Sequence, residues 1–186
     1  MTIQRRSFVK GVASIAPAVA LRELMAQMPV PPAPLELHPV GAGQDRFGHP
    51  LSLGLSSLTF KVAGSETNGG VLIIEHRGLQ PNSGPALHLH YSQEEWFYVM
   101  EGEVAFQVGD QRIHLHAGES ILAPRLVPHT FSASGQPAHM LISFCPAGKM
   151  EQYFRDAEQN PKLAATADFA SRYEVKVIGP SPFWKA

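Results

Sequence analysis

A single cysteine in 186 residues excludes an internal disulfide framework and any thiolate metal cluster. No apolar run reaches the roughly 18 residues that a bilayer-spanning helix needs. Neither sign of charge dominates. Fifteen basic residues stand against 16 acidic, a formal net charge of −1, which gives no broad attraction to nucleic acid or an anionic membrane. Helical periodicity is missing from most of the middle of the chain, and no internal repeat is found. Turn chemistry, by contrast, is plentiful. Glycine and proline occur 16 times each, which suits a succession of short strands, and the length predicts one domain with its own core.

The first 26 residues do not read as fold. Paired arginines, Arg5 and Arg6, are followed by Ser7, Phe8, Val9 and Lys10, then by an uncharged stretch from Gly11 to Leu21. This order is similar to a twin-arginine export signal, with Ala18-Val19-Ala20 as a cleavage site and Leu24-Met25-Ala26 as a looser one. The expectation is delivery to the periplasm, or secretion, with no stable membrane anchor. Removal of residues 1–26 takes away four basic residues and one acidic, leaving 11 and 15, net −4. Residues 27–50, with Pro29, Pro31, Pro32 and Pro34, read as a linker or surface strap.

Residues 51–148 read as β structure. Leu58–Val62 and Val71–Arg77 are strand candidates on either side of a turn from Gly64 to Gly70. Glu103–Val108 and Gln111–His116 alternate about Gly109-Asp110 as a hairpin, and Ser120–Ala123, His129–Ala133 and His139–Phe144 complete the series. Cys145 ends an apolar run and is expected to be buried and inert. Residues 149–186 change character. Met150, Tyr153, Phe154 and Ala157 recur at helical spacing up to Asn160-Pro161, and Thr166 caps a second short helix carrying Phe169 and Tyr173. These helices are expected to cover the β domain or a dimer partner. The proline-limited tail is expected to strap onto a neighbouring subunit.

The chemistry concentrates between Gly84 and Gly102. His88 and His90 stand two apart, so on a strand they share one face. Glu95 follows at the mouth of the apolar run Trp96–Met100, and His129 follows a rigid bend from Pro124 to Pro128. Imidazole nitrogens with a carboxylate oxygen suit a first-row transition metal. His114-Leu115-His116 repeats the His-x-His spacing without that company. There Ile113 and Leu115 continue the apolar face of Val104, Phe106 and Val108, which turns the two histidines to water.

These two stretches resemble the paired motifs of the cupin family. From His88 the first motif matches through Glu95 and Gly102. The second matches at Gly118, Pro124 and His129, with Leu126 in place of its middle glycine and Ala133 in place of its terminal asparagine. The resemblance implies an all-β fold, a double-stranded β-helix or jelly-roll barrel, here with short C-terminal helices. It also implies that His88, His90, Glu95 and His129 hold one divalent ion, with iron, manganese, nickel, cobalt, copper and zinc all open. Gly64–Gly70, Glu94–Val99, Pro124-Arg125 and Phe144–Gly148 are similar to bacterial single-domain cupins described as quercetin 2,3-dioxygenase-like.

That likeness implies a metal-dependent dioxygenase acting on a phenolic or other small organic substrate. Glu95 is then a candidate for a second, catalytic role as proton acceptor. Phe60, Phe97, Val99, Phe106, Phe131 and Met140 are candidate pocket walls, whereas an anionic substrate would need an inward cation from among Lys61, Arg77, Arg112 and Arg125, the last being the one in the motif bend. A non-redox isomerase, lyase or decarboxylase remains open, as does a metal-containing module that binds a small ligand. An open β edge points to a homodimer.

Overall fold

The computed structural model describes residues 37–53, 55–164 and 166–185. The export-signal expectation, and the linker as far as residue 36, lie outside the described residues. Val40–Ala186 forms one unit. Its strands are Leu51–Leu53 (β1), Ser56–Val62 (β2), Leu72–Leu79 (β3), Leu87–His90 (β4), Glu94–Glu101 (β5), Glu103–Val108 (β6), Gln111–His116 (β7), Ser120–Ala123 (β8), His129–Ala133 (β9), Ala138–Cys145 (β10) and Val175–Gly179 (β11). They form two antiparallel sheets, β1-β2-β3-β10-β5-β8 and β11-β4-β9-β6-β7. This is an antiparallel jelly-roll sandwich, the fold that the resemblance implies.

The period-2 pattern explains which face is inside. In β5, Glu95, Phe97 and Val99 are buried while Trp96 and Met100 are exposed. Phe97, Phe106 and Phe131 meet between the sheets with ring centroids 5.1 to 5.9 Å apart. Each stabilises the fold by roughly 2–3 kcal/mol through burial alone. The same alternation corrects one expectation. Phe144 takes the inward position of β10, so Cys145 is turned out and is exposed.

Helices Met150–Gln159 (α1), Pro161–Ala164 (α2) and Ala167–Ser171 (α3) follow β10. The apolar spacing of α1 buries Met150 and Ala157. Thr166 caps α3, its hydroxyl oxygen accepting from Phe169 N at 3.3 Å. Beyond the helices the sequence reading missed a strand. β11 pairs with β4, Val175 opposite His90 and Val177 opposite His88, so the chain's own C-terminal segment covers that flank. The tail after it also packs on its own chain, Trp184 Nε1 donating to Gly84 O at 3.3 Å. Period-2 alternation over five residues, with glycine and proline beside it, was too short a signal to separate this strand from a tail.

Two local features carry testable consequences. On the face of β3 turned from the core, Glu75 is only 4% exposed. It accepts from His139 Nε2 at 2.7 Å, Arg77 at 2.6 Å and Lys61 at 2.5 Å. Burial alone would raise its pKa, but the bonds from Lys61 and His139 and the charges of Lys61 and Arg77 hold it at about 2. A carboxyl depressed in the folded state contributes stability that is complete above its ordinary pKa and is lost as pH falls through the folded one. Glu75→Gln should therefore cost on the order of 2 kcal/mol at pH 7 in denaturant unfolding. It should also flatten the fall in stability between pH 4.5 and about 2.

Leu126, at the position where the second motif has glycine, keeps the glycine conformation with φ +66°. Its amide donates to His90 O at 2.8 Å, so the bend depends on that geometry. Its side chain is 57% exposed and contributes little burial. Relief of left-handed strain exceeds the added freedom of the unfolded chain, so Leu126→Gly should stabilise the protein by up to about 1 kcal/mol, read from the denaturant midpoint.

Candidate metal centre

Three strands and one turn assemble the centre. β4 alternates so that His88 and His90 both point inward, 9% and 1% exposed. β9 lies beside it with His129 directly opposite His88. The turn Tyr91–Gln93 then carries the chain into the other sheet, where Glu95 lies on β5 between Phe144 of β10 and Ala123 of β8. β4 and β5 are therefore neighbours in sequence but belong to opposite sheets. Glu95 faces the histidines across the interior, 3% exposed.

One ligand atom from each of His88, His90, Glu95 and His129 lies within 4.8 Å of the others. Glu95 Oε2 is the shared point, 3.0 Å from His90 Nε2, 2.8 Å from His129 Nε2 and 3.9 Å from His88 Nε2. The outer nitrogens explain why the Nε2 atoms turn inward. His88 Nδ1 donates to Ala86 O at 2.8 Å, and His129 Nδ1 donates to Val127 O at 2.9 Å. In a neutral ring, a proton on Nδ1 leaves Nε2 bare. A bare nitrogen 2.8 Å from a carboxylate oxygen is repulsive unless a cation lies between them, and that cation is a proton or a metal ion. Nitrogen and carboxylate donors, buried and without a thiolate, fit a divalent transition ion.

The electrostatics fit the same reading. Burial pushes the Glu95 carboxyl up, but the hydrogen bonds from His129 and His90 and their charges hold it far below the ordinary carboxylate range. Burial and the neighbouring His129 depress His88 to about 3, so it is neutral and able to donate a lone pair at pH 7. Burial lowers His129 too, yet its bond and charge interaction with Glu95 prevail and raise it. Without an ion, a proton on His129 thus occupies part of the place that a metal would take.

Around the centre the walls are aromatic. Phe97 lies against His129 with centroids 6.2 Å apart, and Phe144 lies against His90 at 5.5 Å. Val99, Phe106, Phe131 and Met140 form the core beneath. Phe60 makes its contacts elsewhere, with Phe47 and the Arg155 guanidinium. The cations considered for an anionic substrate are engaged or exposed. Arg125 pairs with Glu94 through two nitrogens, Lys61 and Arg77 pair with Glu75, and Arg112 is exposed. His114 and His116 are exposed as expected, with side chains 57% and 68% accessible.

Sequence reasoning missed four neighbours of the site. Phe144 was read only as part of a strand. Tyr153 and Phe154 read as a helix face, but Phe154 packs at a tilt against Phe144 with ring centroids 5.9 Å apart, and burial together with the charge of Glu95 raises the Tyr153 hydroxyl pKa. Gln93, in the turn before Glu95, is 1% exposed and both its amide atoms lack a partner. A Cβ on Gly148, whose φ is +52°, would lie 1.8 Å from Gln93 Nε2, so only glycine fits above this turn. The helical period of Tyr153 and Phe154 was legible, but nothing in it indicated which end of the barrel they would cover.

Comparison with known proteins bears on the fold. Residues 76–144 match the family described as Cupin domain. No curated protein sequence matches the chain. Among solved structures, an RmlC-like cupin from Shewanella frigidimarina NCIMB 400 is similar, with 19% identity, a TM-score of 0.52 and coverage of 62% of this chain and 96% of that one. KdgF from Halomonas sp. is 13% identical at a TM-score of 0.47, covering 53% of this chain and 87% of its own. A predicted oxalate decarboxylase from Thermotoga maritima is 18% identical at 0.48, covering 53% and 90%. The matched segment and the likeness to the Shewanella protein together show the cupin fold.

Proposed function

We propose that this cupin is a metal-dependent oxidoreductase, a dioxygenase acting on a phenolic or comparably flat organic molecule. The observation that carries the metal dependence is the convergence of three Nε2 atoms on one buried oxygen of Glu95. His88, His90, Glu95 and His129 would hold the ion. Bound there, a redox-capable divalent ion supplies Lewis acidity and one-electron chemistry with dioxygen. The residues supply the rest. The Phe97 and Phe144 rings exclude water and favour an aromatic substrate over a charged one. Glu95 stays anionic through the neutral range, which suits a ligand. To accept a substrate proton at Oε2 it has to leave His90 and His129 and regain a higher pKa. The likeness of the Glu94–Val99 and Phe144–Gly148 segments to quercetin 2,3-dioxygenase-like cupins supports the choice of reaction.

We also place the protein in the periplasm after twin-arginine export, as a homodimer acting on a small molecule. The Arg5-Arg6 pair and the apolar stretch after it support the location. Replacement of both arginines by lysine should leave the precursor in the cytoplasm, detected by fractionation.

The expected result for the site is about one divalent transition ion per chain by elemental analysis, lost in His88→Ala. Oxygen uptake should appear when a flavonol is added. Turnover that proceeds without oxygen would replace this reading by a non-redox lyase, isomerase or decarboxylase. Tight binding without turnover would replace it by a binding module. Full turnover in a metal-loaded Glu95→Gln protein would remove the proton-acceptor role.

A further inference from the structure

We propose that Glu103, His114 and His116 form a second site, on the outer face of the β6–β7 hairpin, for an imidazole-preferring divalent transition ion such as Cu²⁺, Ni²⁺ or Zn²⁺. It is separate from the barrel centre and does not rest on the reaction proposed there. The register builds it. Glu103 lies directly opposite His116, and Ala105 lies opposite His114, so Glu103 is diagonal to His114 on the same face. His114 and His116 are two apart on β7 and share that face, roughly 7 Å apart along the strand. Ala105, opposite His114, puts only a methyl group across the strand pair from that ring.

The carboxylate is bonded to one ring and lies near the other. Glu103 Oε1 is 2.5 Å from His114 Nδ1, and Oε2 is 3.9 Å from His116 Nδ1. An ion with ligands at about 2.1 Å needs donors roughly 3 Å apart, so closing the set requires the His116 ring to turn toward Glu103. That rotation is unhindered because both rings are more than half exposed. Hydrogen bonds from His114 and Ser134 hold the Glu103 carboxyl below its usual range, so it is anionic at neutral pH. Glu119, whose carboxylate accepts from the His116 amide at 2.7 Å, adds negative charge beside it. His114 also borders a cavity of about 430 Å³ with Ala105, Ser132 and Phe183, which gives solvent or a small ligand access to the remaining positions.

Two imidazoles and one carboxylate follow the preference of copper, nickel and zinc over magnesium or calcium. The alternative is a plain surface ion pair. Isothermal titration of Ni²⁺ into the untagged full chain distinguishes the two. Wild-type protein should take up one equivalent more than the His114→Ala/His116→Ala double variant, and His88→Ala should keep that equivalent. Both altered side chains are exposed, so the double variant should show a wild-type circular dichroism spectrum. Identical stoichiometry in wild-type and double-variant protein would overturn the proposal. So would loss of the surface equivalent in His88→Ala with the hairpin intact.

Discussion

The structure depends on a mutual constraint between two sheets. Three imidazoles on β4 and β9 and one carboxylate on β5 face each other across the interior, and each would be costly alone in that environment. Isolated, Glu95 would be an unpaired buried charge. His129 would be a buried donor without a partner. Together they satisfy each other around Oε2, with one cation needed to complete the arrangement. The aromatic packing of Phe97, Phe106 and Phe131 keeps the surroundings dry and strengthens every electrostatic term inside it.

Much of the rest of the chain serves to hold that geometry. The outer nitrogens of His88 and His129 are fixed by carbonyls two residues earlier in their own chain, Ala86 and Val127, so local backbone sets the tautomer. The bend before His129 is tied to β4 through the Leu126 amide. β11 gives β4 a second paired flank, which restrains the short strand that carries two of the four donors. The C-terminal segment is therefore part of the scaffold around the centre.

The candidate site was legible because its chemistry is written in local spacing. Two histidines at i and i+2, a carboxylate after a short turn and a histidine after a proline-limited bend are features of a one-dimensional chain. The hairpin about Gly109-Asp110 and the helix of Met150, Tyr153, Phe154 and Ala157 were legible for the same reason. Where the argument missed, the missing information was not local. Cys145 reads as the end of an apolar run, and only the inward seat of Phe144 shows that it faces out. Leu126 reads as a lost glycine, although the backbone retains the left-handed turn.

By itself the sequence determined the all-β class, the alternation of the strands between residues 94 and 144 and the four side chains of the candidate centre, because alternation and ligand spacing are set by bond geometry within a few residues. The tertiary structure alone decided that Glu95 lies in the sheet opposite the histidines. It also decided that residues 175–179 complete the sheet that carries the histidines, and that the tail packs on its own chain. Pairing between distant segments is a competition among all available edges and faces, and its outcome depends on how the whole interior is filled.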